Sequence, residues 1–280
     1  MTTAVRNTLS VPGAMLHYEL RGTGPLLLVA QSGEGDADRT EALVGHLADR
    51  YTVATYDRRG LSRSTRLEAK GPVTPQTHAE DLHHLLAALT DRPALLLGCS
   101  LGALYGLHLV AAHPDQVRTL VAHDPATPGL LPATDRAGIR RTLDGIVRTH
   151  RSAGWAPAMR RIAEAVAIDP AAMETEPGFT MPATTARRIA NIEFFLSNDL
   201  PELRDSTLCA ADLAAPATRR VRIVPAAGRT SGQAWNYRCA EELAALLGTD
   251  IVEFPGGHNG NTTHPRAFAA RLHEVLDASR

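Results

Sequence analysis

The chain has 280 residues, 44% of them hydrophobic, enough for a sizeable core in one α/β domain. Twenty-nine basic residues against 30 acidic ones leave a formal net charge of −1, which excludes an electrostatic case for nucleic acid or an anionic membrane surface. The three cysteines, Cys99, Cys209 and Cys239, are an odd number without C-x-x-C spacing; neither structural disulfides nor a zinc site is expected, and a reducing cytoplasm fits.

The first twenty residues hold no long apolar segment, so neither a signal peptide nor a membrane anchor is expected. Residues 4–20 alternate in places, and 14–19 (AMLHYE) predict a hairpin strand before the Gly22-Thr23-Gly24 turn. Residues 25–30 (PLLLVA) form a continuous apolar run, the mark of a strand buried on both faces. It ends in the polar loop 31–35 (QSGEG). A helix is predicted over 39–49, a strand over 51–56 and a second helix over 75–90.

The central stretch is 94–110 (ALLLGCSLGALYGLHLV). It predicts a short buried strand, a sharp turn on Gly98-Cys99-Ser100-Leu101-Gly102, and a buried helix. The two glycines flank Ser100 where side chains would clash. The turn lifts the Ser100 hydroxyl to the carboxyl end of the strand. It also sets the Leu101 N–H at a helix start, where it can bind an oxyanion. A strand follows over 117–123 and stops at Asp124-Pro125. Residues 129–215 are helical in pattern, broken by Pro132, Pro157, Pro170, Pro177, Pro182 and Pro201, and predict a lid inserted over the sheet's carboxyl edge. Alternation resumes with strands at 221–224 and 251–254 and helices over 236–247 and 265–278. The core domain is therefore expected over 1–128 and 216–280, built on a mostly parallel sheet with helices on both faces.

A serine hydroxyl needs a base, and the base needs a partner to orient it. His258 follows the last strand in a glycine-rich loop and is the base candidate. His46, His78, His83, His84, His108, His150 and His273 fall in helical patterns, where packing is the expected role. His264 is the nearest rival, followed by Pro265 at the head of the last helix.

Three stretches now carry a resemblance. Residues 56–64 (YDRRGLSRS) resemble the D-x-R-G-x-G-x-S stretch of the α/β-hydrolase superfamily, 98–102 (GCSLG) its G-x-S-x-G nucleophile elbow, and 254–258 (FPGGH) its histidine loop. The match covers roughly 14–128 and 217–278. The resemblance implies the order Ser, acid, His. Many members carry the acid after the strand that follows the lid, but there the loop reads GRTSGQ (228–233), without a carboxylate. Asp124, at the end of the strand after the elbow helix, is the other location the superfamily uses, and it is taken as the acid. Asp250, Glu253, Glu241, Glu242 and Ser231 are expected to stand apart from His258. The usual His-Gly of the oxyanion loop is replaced by Ala30-Gln31-Ser32-Gly33. The amide of Ser32 or of Gln31 is expected to pair with that of Leu101, with the Gln31 side chain as an alternative donor. Asp57 and Arg58 are expected to serve their turn as an ion pair or local network. Cys99 is expected to pack against the sheet, and Ile189, Ile192, Phe194, Phe195 and Leu196 to form an apolar stripe.

These readings imply a cytoplasmic serine hydrolase acting on an ester, thioester, lactone or amide of a small molecule, with no metal or organic cofactor. One alternative is a lyase, isomerase or cyclase that uses Ser100 and His258 for proton transfer only. Another is a ligand-binding protein on the same fold. Composition leaves a homodimer open.

Overall fold

The structure is a computed structural model and describes residues 3–67, 71–169, 172–215 and 218–278. Its centre is one sheet of β1 (Val5–Val11), β2 (Ala14–Arg21), β3 (Leu26–Ala30), β4 (Thr52–Tyr56), β5 (Thr65–Arg66), β6 (Ala94–Cys99), β7 (Val117–His123), β8 (Arg222–Gly228) and β9 (Val252–Phe254). The spatial order is β1-β2-β4-β3-β6-β7-β8-β9, with β5 paired to β2 at the side. The β1–β2 hairpin and the β2–β4 and β2–β5 pairs are antiparallel; every pair from β4 through β3 to β9 is parallel. The mostly parallel sheet expected from the sequence is thus the sheet observed.

Parallel strands are buried on both faces, and alternate residues of each central strand go to opposite helical layers. Leu28, Ala30, Ala54, Tyr56 and Leu96 pack under α2 (Pro75–Leu89), α3 (Leu101–Ala112) and α9 (Trp235–Leu247). Leu27, Val29, Val53, Leu95, Leu97 and Cys99 pack under α1 (Glu41–Leu47) and α11 (Pro265–Asp277). Helix α3 is buried on every side from Leu101 to Val110. Its all-round apolar sequence follows from that position, since it lies between the sheet and other helices. Truncating a residue such as Leu104 there to Ala would cost about 2–5 kcal/mol.

Between β7 and β8 the chain builds α4 (Ala133–Ala153), α5 (Trp155–Ala165), α6 (Ala186–Phe194), α7 (Leu200–Arg204) and α8 (Ala210–Leu213). The prolines act here by position. Pro132 caps α4, and Pro157 sits in the first turn of α5, where no amide donor is missed. Pro177 and Pro182 lie in the irregular stretch before α6, and Pro170 lies outside the described residues. Pro201 does not break the helical run. Instead the turn before it, Phe195–Asp199, widens to a π-helix, with Leu200 N donating to Phe195 O. A proline at 201 has no N–H to give to residue 197 and its ring crowds that carbonyl; a wider turn moves the carbonyl clear of the ring. A four-residue helix, α10 (Gly260–Thr263), follows β9. No helix among the described residues is long and apolar enough to cross a membrane.

Candidate active site

Ser100 sits between β6 and α3 with φ 54° and ψ −112°, a conformation that non-glycine residues rarely adopt. The neighbouring glycines make it accessible. A β-carbon on Gly98 would lie 2.6 Å from Ala103 Cα, and one on Gly102 only 2.1 Å from Ala30 O. The elbow is pinned to β7 and the segment after it, since Ser100 N donates to His123 O at 2.9 Å and Ala126 N donates to Ser100 O at 3.1 Å. At the first position of α3, Leu101 has no intrahelical acceptor for its N–H.

Asp124 follows β7 directly, fully buried and with φ 43°. Its backbone is fixed on both sides: Asp124 N donates to Ala226 O at 2.8 Å, and Asn236 Nδ2 donates to Asp124 O at 3.2 Å. Its Oδ2 lies 3.3 Å from His258 Nδ1 and accepts from Ser231 Oγ at 2.7 Å. Burial alone raises the Asp124 pKa; His123, His258 and Ser231 together outweigh it and hold the carboxyl below its ordinary value. His258, itself buried, reaches back from the loop after β9. The structure therefore brings Asp124 and His258 together. His264 is turned elsewhere, with Nδ1 against Thr263 Oγ1 at 2.8 Å.

Ser231 is expected to stand apart from His258; it makes no hydrogen bond to it among the described residues, but it donates to the carboxylate oxygen that faces His258. The loop after β8, which holds no carboxylate, sends a hydroxyl to Asp124 instead.

Ser100, Leu101, Ser32 and His258 line one cavity of about 240 Å³. Most of its wall is apolar and comes from α4 (Leu143, Ile146), α5 (Met159, Ile162), the π-turn (Phe195) and α7 (Leu200, Leu203). Glu34 and Arg188 also border it, paired at 3.0 Å. Gln31 is placed differently from the side-chain alternative: its amide donates to Thr40 Oγ1 in the interior, and it does not border the cavity. Gln31 directly follows β3, and its side chain is buried with Thr40 at the start of α1.

Asp57 and Arg58 are both fully buried and belong to separate networks, not to a pair with each other. Asp57 accepts from Ala37 N and from Arg63 Nε, at 2.9 and 2.7 Å. Arg58 donates to Asp199 Oδ2 at 2.6 Å and to Ser32 O at 2.9 Å. Cys99 packs under the elbow as expected, and burial pushes its thiol far up, with Asp124 adding to the shift.

Among the described residues one group has the composition of a metal site: Glu80, His83 and His113, on α2 and at the end of α3. The two imidazoles stack face to face at 3.9 Å and 15°. One ring nitrogen of each is already engaged with a protein oxygen, His83 Nδ1 with Gln116 Oε1 and His113 Nε2 with Glu80 Oε1, both at 2.9 Å.

A model of the alpha/beta hydrolase fold matches residues 25–151. An uncharacterized hydrolase of Bacillus subtilis, YraK, is 36% identical over 274 residues, which covers 98% of this chain and 96% of that protein. The zearalenone hydrolase of Bionectria ochroleuca is 33% identical over 126 residues, 44% of this chain and 48% of that one. Among solved structures, a thermophilic esterase from Thermogutta terrifontis superposes with a TM-score of 0.71 at 20% identity, covering 99% of both chains.

Proposed function

The chain belongs to the α/β-hydrolase family, and from that premise we propose that it is a serine hydrolase cleaving an ester, thioester, lactone or amide of a small, largely apolar molecule. Relatives that carry the name hydrolase support the reaction class. The observation that carries the finer reading is the approach of His258 Nδ1 to Asp124 Oδ2 at 3.3 Å, with Ser100 strained at the wall of the cavity that His258 also lines.

In this reading Ser100 Oγ attacks the carbonyl carbon and its proton passes to His258. Asp124 accepts the hydrogen bond from Nδ1–H, which fixes the tautomer and stabilises the imidazolium. The amides of Leu101 and Ser32 hold the oxyanion. Collapse breaks the bond to the leaving group, which takes the proton from His258, and leaves an acyl group on Ser100. Water, activated by His258, then attacks the acyl carbon and regenerates the serine.

Residues 129–215 act as a lid on the core formed by 1–128 and 216–280. The support is that α4, α5, the π-turn and α7 provide most of the apolar wall of the cavity that Ser100 and His258 border. Residues 216 and 217, at the second boundary, lie outside the described residues. A reducing cytoplasm is proposed from the sequence, whose three cysteines are an odd number without C-x-x-C spacing.

A fluorophosphonate probe and a panel of aryl esters test the reading. Covalent labelling confined to Ser100, lost in Ser100→Ala together with turnover, is the expected result. Turnover of a substrate without labelling would move the assignment to a lyase, isomerase or cyclase. Ligand binding with neither would make the protein a binding module.

A further inference from the structure

The loop after β3 is held from beneath. One buried guanidinium, that of Arg58, donates to three successive carbonyls: Gln31 O at 3.5 Å, Ser32 O at 2.9 Å, and Gly33 O. In a trans peptide the C=O and the following N–H point in opposite directions. The guanidinium that gathers these carbonyls therefore turns the N–H groups of Ser32, Gly33 and Glu34 away from itself. Those same three residues border the cavity that holds Ser100.

A buried cation needs a counter-charge. Asp199 supplies it at 2.6 Å, with both side chains fully buried. Burial works against the Arg58 charge, and Asp199 overcomes that cost. The other oxygen of Asp199 lies 3.2 Å from His78 Nε2, and His78 stacks on Tyr105 of the elbow helix at 4.4 Å. Asp199 thus belongs to a buried network joining the inserted helices, the loop after β3 and α3.

Asp199 ends the π-turn Phe195–Asp199. Phe195, at the start of that turn, lies against Gly33, where an added β-carbon would meet the ring at 2.9 Å. Both Phe195 and Leu200, the residue after Asp199, line the cavity. The widened turn provoked by Pro201 therefore has an apolar side toward the cavity and a carboxylate toward Arg58.

We infer that Arg58 and Asp199 are positioning residues for the oxyanion site: Asp199, carried by the inserted helices, fixes Arg58, and Arg58 fixes the amides of the loop that follows β3. The catalytic consequence rests on the hydrolase reading above; the clamp on the loop does not.

The test replaces both members of the pair. In R58M/D199L two apolar chains of similar length fill the site, an exchange that buried ion pairs often tolerate. Peptide-level hydrogen exchange reads the loop, and kcat and KM for p-nitrophenyl butyrate read the reaction, with kcat expressed per Ser100 titrated to completion by a fluorophosphonate. Exchange over residues 31–35 should be at least about fivefold faster, with the peptide spanning Asp124 unchanged. Per titrated serine, kcat should fall about 10- to 100-fold. KM should stay within about threefold. A merely structural role would lower the number of titratable serines and leave kcat per site intact.

If the double variant does not fold, Asp199→Asn and Arg58→Lys carry the same measurements. Unchanged exchange over 31–35 overturns the clamp, and wild-type kcat per titrated site overturns its catalytic role. If the wild-type protein neither labels nor turns over the ester, the hydrolase reading has failed, and the exchange measurement still decides the clamp.

Discussion

Ser231 Oγ donates to Asp124 Oδ2 at 2.7 Å, and the same oxygen faces His258 Nδ1 at 3.3 Å. Asp124 Oδ1 has no hydrogen-bond partner among the described residues. The carboxylate is therefore aimed by what touches Oδ2 and by its tethered backbone. Removing the hydroxyl takes away one of the two contacts that set its direction. A hydrogen bond to a charged group contributes about 1.5 kcal/mol, roughly a factor of ten in rate. Ser231→Ala should lower kcat by about that factor with little change in KM. Wild-type kcat in the variant would show that the backbone alone aims Asp124.

Asp124→Asn should be far more damaging. The amide would present a donor where His258 Nδ1–H needs an acceptor, and the imidazole would settle in the wrong tautomer. A loss of about 10⁴ in kcat is expected, with a small change in Tm. Ser231 acts only through Asp124, so adding Ser231→Ala to Asp124→Asn should cost nothing more. A further loss in the double variant would mean that Ser231 has a second role. Asp250→Asn and Glu253→Gln should leave kcat near wild type.

Gly102→Ala tests the elbow as a packing device. The new β-carbon would lie 2.1 Å from Ala30 O and 2.8 Å from Gln31 O, both backbone atoms that cannot swing aside. Either α3 or the end of β3 must move. The variant should lose about 1–3 kcal/mol of stability, read as a lowered Tm. Separating β3 from α3 also separates the Ser32 and Leu101 amides, so kcat per titrated Ser100 should fall as well. A stable variant with wild-type kcat would show that the elbow tolerates a side chain there.

The sheet was readable because its central strands are buried twice over. A run such as 26–30 has no polar face to hide it, and the same holds for β6. β1 was visible only as part of an alternating stretch, because it is a largely exposed edge strand with few apolar positions to count. β5, two residues long, carries no period. The Asp124–His258 contact was legible only through the resemblance, which offers the end of β7 as the other location for the acid once the loop after β8 holds no carboxylate. Ser231 was not legible, since one serine in a glycine-rich turn has no signature until a partner appears. Asp199 does carry a signal in the sequence. Ile192, Phe195, Leu196 and Leu203 recur at helical spacing, and Asp199 falls on that buried stripe. A carboxylate at such a position needs a buried cation, and the adjacent arginines of the 56–64 stretch were the candidates. The π-turn itself was hidden, because widening is a backbone response to Pro201 within a packed helix.

The last expectation concerns acid stability. His123 ends β7, fully buried, with Phe254 and Phe268 against its ring edge at centroid distances of 5.7 and 5.2 Å. Neither ring nitrogen has a hydrogen-bond partner among the described residues. Burial pushes its pKa down from 6.5 to about 4, with the Asp124 charge opposing and His258 adding to the shift. Between those two values the unfolded chain binds a proton that the folded protein does not. Folding stability therefore rises with pH across this window and is lost as pH falls from 6.5 towards 4, by on the order of 3 kcal/mol in all. Asp124 acts in the next window down. Its pKa is depressed in the folded state, so its contribution is present above 3.8 and is lost as pH falls below that value. The two groups can be separated with His123→Leu, which removes the titration and keeps an apolar side chain between the phenylalanines. Urea unfolding of both proteins at several pH values from 7 to 4 gives the comparison. The stability of the variant relative to wild type should climb as pH falls, by about 3 kcal/mol across the window. A difference that stays constant from pH 7 to 4 would mean that His123 takes up its proton in the folded state as readily as in the unfolded chain.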